Sequence, residues 1–317
     1  MKHENTRIAV TETLMELAAK DSNIALVCAD SLLVLKAKPF VDEYPDRFFD
    51  VGIAEQNAVC CAAGMASCGL IPFVATYAGF ITMRACEQVR TFVAYPGLNV
   101  KLIGANGGIG SGEREGVTHQ FFEDLGILRT ISGITIVVPA DAGQVREAVK
   151  AVAYTKGPAY IRIGSGRDPV VFEEYVPFEL GKARILRKAG RDVVIFANGF
   201  ILPRVLQAAE ELEQKGIKAT VVEVHTLKPL DNERIANVLD ECGAAVTVED
   251  HNIIGGLGSA IAEVIAEEVP VPLVRVGLRD TFPRSGATEE LLDHYHIGVK
   301  DIVGAACKAI EKKKSVY

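Results

Sequence analysis

Glu55 occupies the position in this sequence that is best suited to chemistry. It lies in the run GIAEQN (52–57), after the apolar run FFDVGI (48–53) and at the start of residues 54–69, which are rich in Ala, Met and Cys. These patterns predict a strand followed by a helix, with Glu55 at the junction. A carboxylate there can simply favour the helix N-terminus, whose free N–H groups and dipole attract negative charge. On position alone this ordinary role is the better explanation, and a catalytic carboxylate is the alternative.

Two aromatic residues and a histidine are the next candidates. Tyr77 and Phe80 lie at the end of the β-prone run 71–77, where they could also be core aromatic residues. Residues 104–120 contain more glycine than stability alone explains, and His119 lies near the end of this loop. The loop lacks the Walker lysine and the G-x-G-x-x-G spacing, which argues against a nucleotide-phosphate site. A lone histidine is more often structural than catalytic.

The elements that would position these residues alternate between strands and helices. The predicted strands are 24–30, 48–53, 71–77, 99–105, 134–138 and 159–163, and the predicted helices are 7–20, 54–69, a segment from 81 onward, 121–129 and 141–156. Such alternation implies a mostly parallel sheet that is covered on both faces.

A second α/β unit follows a segment rich in charge, Pro and Gly. Its predicted strands are 192–197, 219–224, 245–249 and 273–276, and its predicted helices are 203–215, 232–241, 257–268 and 299–312. The sequence therefore predicts an α/β fold with mostly parallel sheets in two domains, 1–168 and 192–317, joined by a linker over 169–191.

Composition narrows the class of protein. The 317 residues are 49% hydrophobic and 24% charged, and their net charge is −7 with no basic tract, which argues against nucleic acid and anionic membranes as partners. No stretch approaches the roughly 18 apolar residues of a membrane span, and the N-terminus has no signal-peptide pattern. The 7 cysteines include no CxxC pair, which favours reduced thiols in the cytoplasm over disulfides or a zinc site.

Five motifs follow one another along the chain: PDRFF (45–49), GIAEQN (52–57), Tyr77-x-x-Phe80, VPADAGQ (138–144) and VEDHNIIGGLGSAIAEV (248–264). Together they resemble the transketolase family, which includes the 1-deoxyxylulose-5-phosphate synthases. The resemblance covers nearly the whole chain. It implies a thiamin-diphosphate pyrimidine-binding fold followed by a transketolase C-terminal domain.

The resemblance assigns roles to the candidate residues. It implies that Glu55 hydrogen-bonds the aminopyrimidine ring of thiamin diphosphate and sets its tautomer, so that the cofactor can be activated. Tyr77 and Phe80 would contact the pyrimidine ring by aromatic packing. His119, in the family's Thr-His-Gln pattern, would bind sugar hydroxyls or move protons. Asn106 stands where many transketolases carry a histidine and is the third catalytic candidate.

The remaining expectations concern the substrate. By resemblance, Glu115 would contact a substrate hydroxyl, and Arg84 matches an arginine that relatives carry one position earlier. Arg7 and Arg167 are candidate phosphate ligands because a guanidinium matches phosphate geometry.

Three positions depart from the family pattern. Val34 replaces a serine that contacts substrate phosphate in transketolases. The pair Asn106-Gly107 replaces the Asp-Arg pair of deoxyxylulose phosphate synthases, which argues against that activity. An unusual sugar phosphate, or a sugar held differently, is therefore expected.

The family domain that binds the cofactor diphosphate through Mg²⁺ has no counterpart in the sequence, which contains no Gly-Asp-Gly. This predicts a split enzyme in which a separate N-terminal subunit supplies that domain and holds Mg²⁺, most simply as an α2β2 assembly. Three alternatives stay open: the β subunit of a 2-oxoacid dehydrogenase E1, an enzyme similar to the deoxyxylulose phosphate synthases, and a non-catalytic partner that keeps the fold.

Overall fold

Two α/β units follow one another along the chain. The structure is a computed structural model that describes residues 2–110 and 115–316, so residues 111–114 of the predicted glycine-rich loop lie outside the described part. Within the described residues, no helix is long and apolar enough to cross a membrane. One buried apolar cluster contains residues of both units, so the two units share part of their core.

The first unit is built on a seven-stranded sheet within the described residues. Its strands, in spatial order, are Thr226–Lys228, Thr135–Val137, Ala159–Arg162, Lys101–Ala105, Ile71–Tyr77, Ile24–Cys28 and Phe48–Asp50. All neighbours pair in parallel except Thr226–Lys228, which runs antiparallel to Thr135–Val137.

Helices cover both faces of this sheet, which explains why its strands read as continuous apolar runs rather than alternating ones. Every residue of Ile24–Cys28 is buried, for example. The α-helices are Thr6–Ala18, Lys38–Glu43, Glu55–Ser67, Cys86–Gln88, Asp124–Arg129 and Ala142–Ala153. The π-helical turns Phe80–Arg84 and Val89–Ala94 flank Cys86–Gln88. Short 3₁₀ turns lie at Pro45–Arg47 and Val117–His119.

The second unit has a five-stranded sheet within the described residues. Its strands, in spatial order, are Leu273–Leu278, Ala245–Asn252, Val193–Ala197, Ala219–Glu223 and Arg184–Lys188, the last of which is antiparallel. Its helices are Leu202–Gln214, Asn232–Cys242, Leu257–Glu267, Thr288–His294 and Val299–Val316, with a 3₁₀ turn at Gly199–Ile201. A small antiparallel pair, His3–Glu4 with Asp168–Pro169, joins the chain start to the end of the first unit.

The predicted fold class, two α/β units with mostly parallel sheets, is confirmed. Two details differ from the sequence-based picture. The strand Arg184–Lys188 lies inside the segment predicted as a linker, and Thr226–Lys228 leaves the second unit to extend the sheet of the first. The domain boundaries themselves stay a prediction.

The carboxyl ends of parallel strands meet at one edge of a sheet, where ligand sites of α/β folds are usually built. Phe48–Asp50, Ile71–Tyr77 and Lys101–Ala105 end at this edge in the first unit. Glu55, Tyr77 and Asn106 follow or terminate these three strands. The topology therefore gathers the candidate residues at one edge.

Candidate active site

Glu55 begins the helix Glu55–Ser67 and is almost completely buried. The preceding turn passes through Gly52, whose φ is +71°. Arg84 Nη1 lies 2.6 Å from Glu55 Oε2, and the two side chains are 44% and 2% exposed. The carboxylate is therefore shielded from water and held by one cation, which itself reaches the surface.

Arg84 reaches Glu55 from the π-helical turn Phe80–Arg84. The Arg84 guanidinium also lies over the ring of Phe80, with Cζ 4.3 Å from the ring centroid. Arg84 thus contacts a buried carboxylate and an aromatic face at once.

Four rings pack beside this ion pair. The centroid of the His119 ring is 5.1 Å from that of Tyr77 and 5.3 Å from that of Phe80, and the Phe121 ring is 5.2 Å from Phe80. The planes meet edge to face, the arrangement that ring quadrupoles favour. A Cβ at Gly79 would lie 1.8 Å from the Phe121 ring, so only glycine allows this packing. We call Glu55, Tyr77, Phe80, Arg84 and His119 the edge cluster.

Arg7 and Asn106 lie next to the edge cluster. Arg7 Nη2 donates to the Asn106 side-chain oxygen, and Nη1 donates to the backbone carbonyl of Val34 at 3.2 Å. Asn106 is buried and adopts φ +59°, a conformation that asparagine tolerates better than most residues. Position 34 therefore contributes its backbone where the family pattern has a serine side chain.

The exposed Glu115 interacts electrostatically with Tyr77 and Arg7. Burial raises the pKa of Tyr77, the Glu115 carboxylate adds to that rise, and Arg7 opposes it. Burial also lowers the pKa of Arg7, against the opposing charges of Tyr77, Asp168 and Glu115. Arg7, Tyr77 and Glu115 are thus electrostatic neighbours.

Arg167 lies elsewhere. It is exposed and lines a cavity of about 480 Å³ between the two units, together with His3, Phe200, Arg204 and Thr288. The lining of this cavity includes no member of the edge cluster among the described residues.

Of the sequence-predicted residues, the structure brings together Glu55, Tyr77, Phe80, Arg84 and His119, with Arg7, Asn106 and Glu115 beside them.

A second polar cluster is buried between the units, and the sequence did not predict it. Arg162 Nε lies 3.0 Å from Asp124 Oδ2, which also accepts a hydrogen bond from Tyr160 at 2.7 Å. Arg162 Nη2 donates to the backbone carbonyls of Phe121 and Asp250, at 3.0 and 2.9 Å. The fully buried His251 accepts from Gly126 N–H at 3.3 Å. We call Asp124, Tyr160, Arg162, Asp250 and His251 the inter-unit network.

Burial shifts the titration of this network. It raises the pKa of Asp250 to about 6, although Arg162 and backbone N–H groups favour the carboxylate. It lowers the pKa of His251 to about 4, with the opposing charge of Asp124 too weak to compensate. The imidazole of His251 is thus neutral at pH 7, which agrees with its role as a hydrogen-bond acceptor.

Comparison with known proteins gives matches over both units. Residues 2–166 match the transketolase pyrimidine binding domain, and residues 181–302 match the transketolase C-terminal domain. The sequence is 42% identical over 307 residues to the 6-deoxy-6-sulfo-D-fructose transketolase subunit SqwH of Clostridium sp. (strain MSTE9), covering 97% of this chain and 95% of the relative.

Two further relatives are similar over almost their whole length. One of the apulose-4-phosphate transketolase subunits of Phocaeicola vulgatus is 38% identical, with 96% of this chain and 97% of the relative covered. A solved structure described as "Split gene transketolase, inactive beta4 tetramer" superposes with a TM-score of 0.90 at 41% identity, covering 98% of this chain and 99% of that chain.

Proposed function

This chain belongs to the transketolase family, whose members depend on thiamin diphosphate, and on that premise we propose that it is the C-terminal subunit of a two-chain transketolase. The assembled enzyme would transfer a two-carbon ketol unit from a ketose to an aldose. The observation that carries the proposal is the buried Glu55 carboxylate beside the half-buried rings of Tyr77, Phe80 and His119.

The edge cluster fits the aminopyrimidine end of thiamin diphosphate. That ring needs an apolar face for stacking and a carboxylate for its ring nitrogen, and Phe80 and Glu55 offer these two groups on either side of Arg84. When bound, the cofactor supplies the carbon nucleophile that cleaves the ketose. Glu55, sheltered from water, would hold the proton at the ring nitrogen.

The diphosphate end of the cofactor would be bound through Mg²⁺. No cluster of three or more His, Cys, Asp or Glu side chains suited to a metal is found among residues 2–110 and 115–316. We assign Mg²⁺ and the diphosphate to an N-terminal partner subunit, in an α2β2 assembly, because the solved relative is described as a split-gene transketolase. The description of the solved relative as an inactive β4 tetramer supports self-association and inactivity of the lone chain.

We propose that four residues face the substrates: His119, Asn106, Glu115 and Arg7. Arg84 instead contacts Glu55 and Phe80, and Arg167 lines a separate cavity. His119 would bind a sugar hydroxyl and move its proton, because a neutral imidazole has one nitrogen that donates a hydrogen bond and one that accepts it. Arg7 would meet an anionic terminus. The names of the two subunit relatives contain a sulfosugar and a sugar phosphate, and both molecules carry such a terminus.

Enzyme assays test this function. The chain should be inactive alone and should transfer ketol units when mixed with the diphosphate-domain subunit. Donors to compare are xylulose 5-phosphate, apulose 4-phosphate and 6-deoxy-6-sulfo-D-fructose, each with an aldose acceptor. Ketol transfer by the lone chain would refute the split site.

Two further assays address the alternatives. Turnover of pyruvate with an electron acceptor, in place of ketol transfer, would favour a 2-oxoacid dehydrogenase subunit. Condensation of pyruvate with glyceraldehyde 3-phosphate would favour a deoxyxylulose phosphate synthase, despite Gly107 in place of the arginine of those enzymes.

A further inference from the structure

The second unit contacts both ends of the glycine-rich loop that carries His119. At the start of the loop, Asp250 Oδ1 accepts a hydrogen bond from Ile109 N–H at 2.9 Å. Thr288 Oγ1 donates to the carbonyl of Gly110 at 2.6 Å. Asp250 and Thr288 are 38 residues apart in the second unit, yet they hold adjacent loop residues.

The end of the loop is also held by hydrogen bonds, here from its own side chain. Gln120, the neighbour of His119 in the chain, is buried. Its side-chain Nε2 donates to the carbonyl of Ile109 at 3.1 Å and to that of Arg284 at 3.2 Å. One amide thus ties the end of the loop to its beginning and to the second unit.

The contact between Asp250 and the start of the loop is close, which leaves the loop backbone little room to move. Gly108 has φ +94°, and a Cβ there would lie 1.7 Å from Asp250 Oδ2. Gly108 N–H also donates to the carbonyl of Phe121 at 2.6 Å, which closes the base of the loop. Arg162 binds that same carbonyl and the backbone carbonyl of Asp250, so the inter-unit network supports both sides of the base.

We propose that the second unit acts as a clamp on the substrate loop, with Thr288 and Asp250 as positioning residues that fix where the His119 imidazole meets the sugar. This inference rests on the proposed function, in which His119 contacts substrate. It gives the second unit a part in catalysis although it holds none of the edge cluster. Thr288 and Asp250 act through the loop backbone, so their loss should affect sugar turnover and leave cofactor binding intact.

The variant Thr288→Val tests the clamp with little change in shape, because valine replaces the hydroxyl with a methyl group. The loop carbonyl of Gly110 then loses this donor. Thr288→Ser keeps the hydroxyl and should behave like the wild type. Thr220→Val is the matched control: the Thr220 hydroxyl also donates to a glycine carbonyl, that of Gly190, at 2.6 Å, far from the edge cluster.

Amide hydrogen exchange of the full chain is the first measurement. Thr288→Val should speed exchange in peptides 107–110 and 115–121 by about tenfold, the effect of losing one hydrogen bond to a part-buried carbonyl. Thr288→Ser and Thr220→Val should leave these peptides unchanged. Equal exchange in Thr288→Val and the wild type would overturn the clamp.

Kinetics of the two-chain enzyme is the second measurement. Thr288→Val should lower kcat/KM for the sugar acceptor by about tenfold and leave the Kd of thiamin diphosphate unchanged. An equal loss in cofactor affinity, or an equal effect of Thr220→Val, would reduce Thr288 to a general structural role and contradict the proposal. If the wild-type mixture transfers no ketol unit, the proposed function fails, whereas the exchange experiment still decides whether the clamp exists.

Discussion

The edge cluster and the inter-unit network are both polar, but they meet water to very different extents. In the edge cluster the Arg84 side chain is 44% exposed, whereas in the inter-unit network Arg162 is 5% exposed and Asp124 is fully buried. A buried charge must find its partners within the fold, because its desolvation is costly. The network is therefore a fixed support. The edge cluster instead combines the buried Glu55 carboxylate with half-buried rings and a guanidinium that reaches the surface, which leaves it open to a cofactor and a partner subunit on one side.

The largest expected effect comes from removing the edge carboxylate. In the two-chain enzyme, Glu55→Gln should lower kcat by about a thousandfold, since the acid–base contribution of one positioned group is of that order. Initial rates of ketol transfer measure it. Glu87→Gln, at an exposed acid on the short helix Cys86–Gln88, is the control and should keep wild-type rates. Activity within a fewfold of the wild type in Glu55→Gln would remove Glu55 from the mechanism.

The second prediction compares a buried ion pair with an exposed one. Arg162→Met leaves the Asp124 charge buried without its cation and should lower the free energy of unfolding by about 3–5 kcal/mol. Lys38→Met breaks the exposed pair of Lys38 with Asp42, 2.7 Å apart, and should cost less than about 0.5 kcal/mol. Urea unfolding of both variants measures the difference. Equal losses would show that the inter-unit network is not the stronger support.

The third prediction uses the titration of His251. Its pKa is about 4 in the folded chain, where burial disfavours the cation, and near its ordinary value of 6.5 when unfolded. The unfolded state alone binds the proton between these values, so the stability contributed by neutral His251 is present above pH 6.5 and is lost as the pH falls toward 4.

The variant His251→Asn removes this term. As the pH falls from about 7 to about 5, the wild type should lose stability that the variant does not lose. The free energy of unfolding of the variant should therefore rise by roughly 2 kcal/mol relative to that of the wild type over this range. Taking the difference between variant and wild type cancels the opposite contributions of Glu249 and Asp250, whose raised pKa values add stability as the pH falls. His296→Asn is the control, because His296 is exposed and its φ of +60° suits asparagine. A pH-independent difference for His251→Asn would contradict the buried neutral imidazole.

The smallest effect is expected at Arg84. Its guanidinium lies against Glu55 and over Phe80, the two groups proposed to receive the pyrimidine ring, so the ring and Arg84 compete for the same partners. Arg84→Gln should tighten thiamin diphosphate binding to the two-chain enzyme by about fivefold, the size of a partly exposed ion pair and cation–π contact. Calorimetry measures the Kd, with the exposed Arg90→Gln as control. Weaker binding would instead make Arg84 a permanent support for Glu55.

The family resemblance named the residues of the edge cluster but none of the inter-unit network, and the proximity of the edge-cluster residues has a physical reason. Glu55, Tyr77 and Phe80 follow strands that the apolar runs predict, and parallel strands bring their carboxyl ends to one edge. The network joins Asp124 and Arg162 to Asp250 from the other unit, and no local pattern encodes that contact.

Likewise, which segments form strands and helices was easier to predict than which strands pair with one another. The run Ile71–Tyr77 is a strand with the predicted bounds, and the helix predicted over 54–69 spans Glu55–Ser67. By contrast, the short strand Thr226–Lys228 was not predicted, because three residues carry too little periodicity and its partner is about 90 residues away. The ion pair between Arg84 and Glu55 depends on a π-turn, which the sequence pattern also does not reveal.

The central claim is that the cofactor site is shared between this chain and an N-terminal subunit. Calorimetric titration of thiamin diphosphate with Mg²⁺ tests it most directly, first into this chain alone and then into its mixture with the diphosphate-domain subunit. The account predicts binding in the mixture and none to the lone chain over the same concentration range. Equal binding to the lone chain would contradict the account, since the edge cluster would then not need a partner to complete the site.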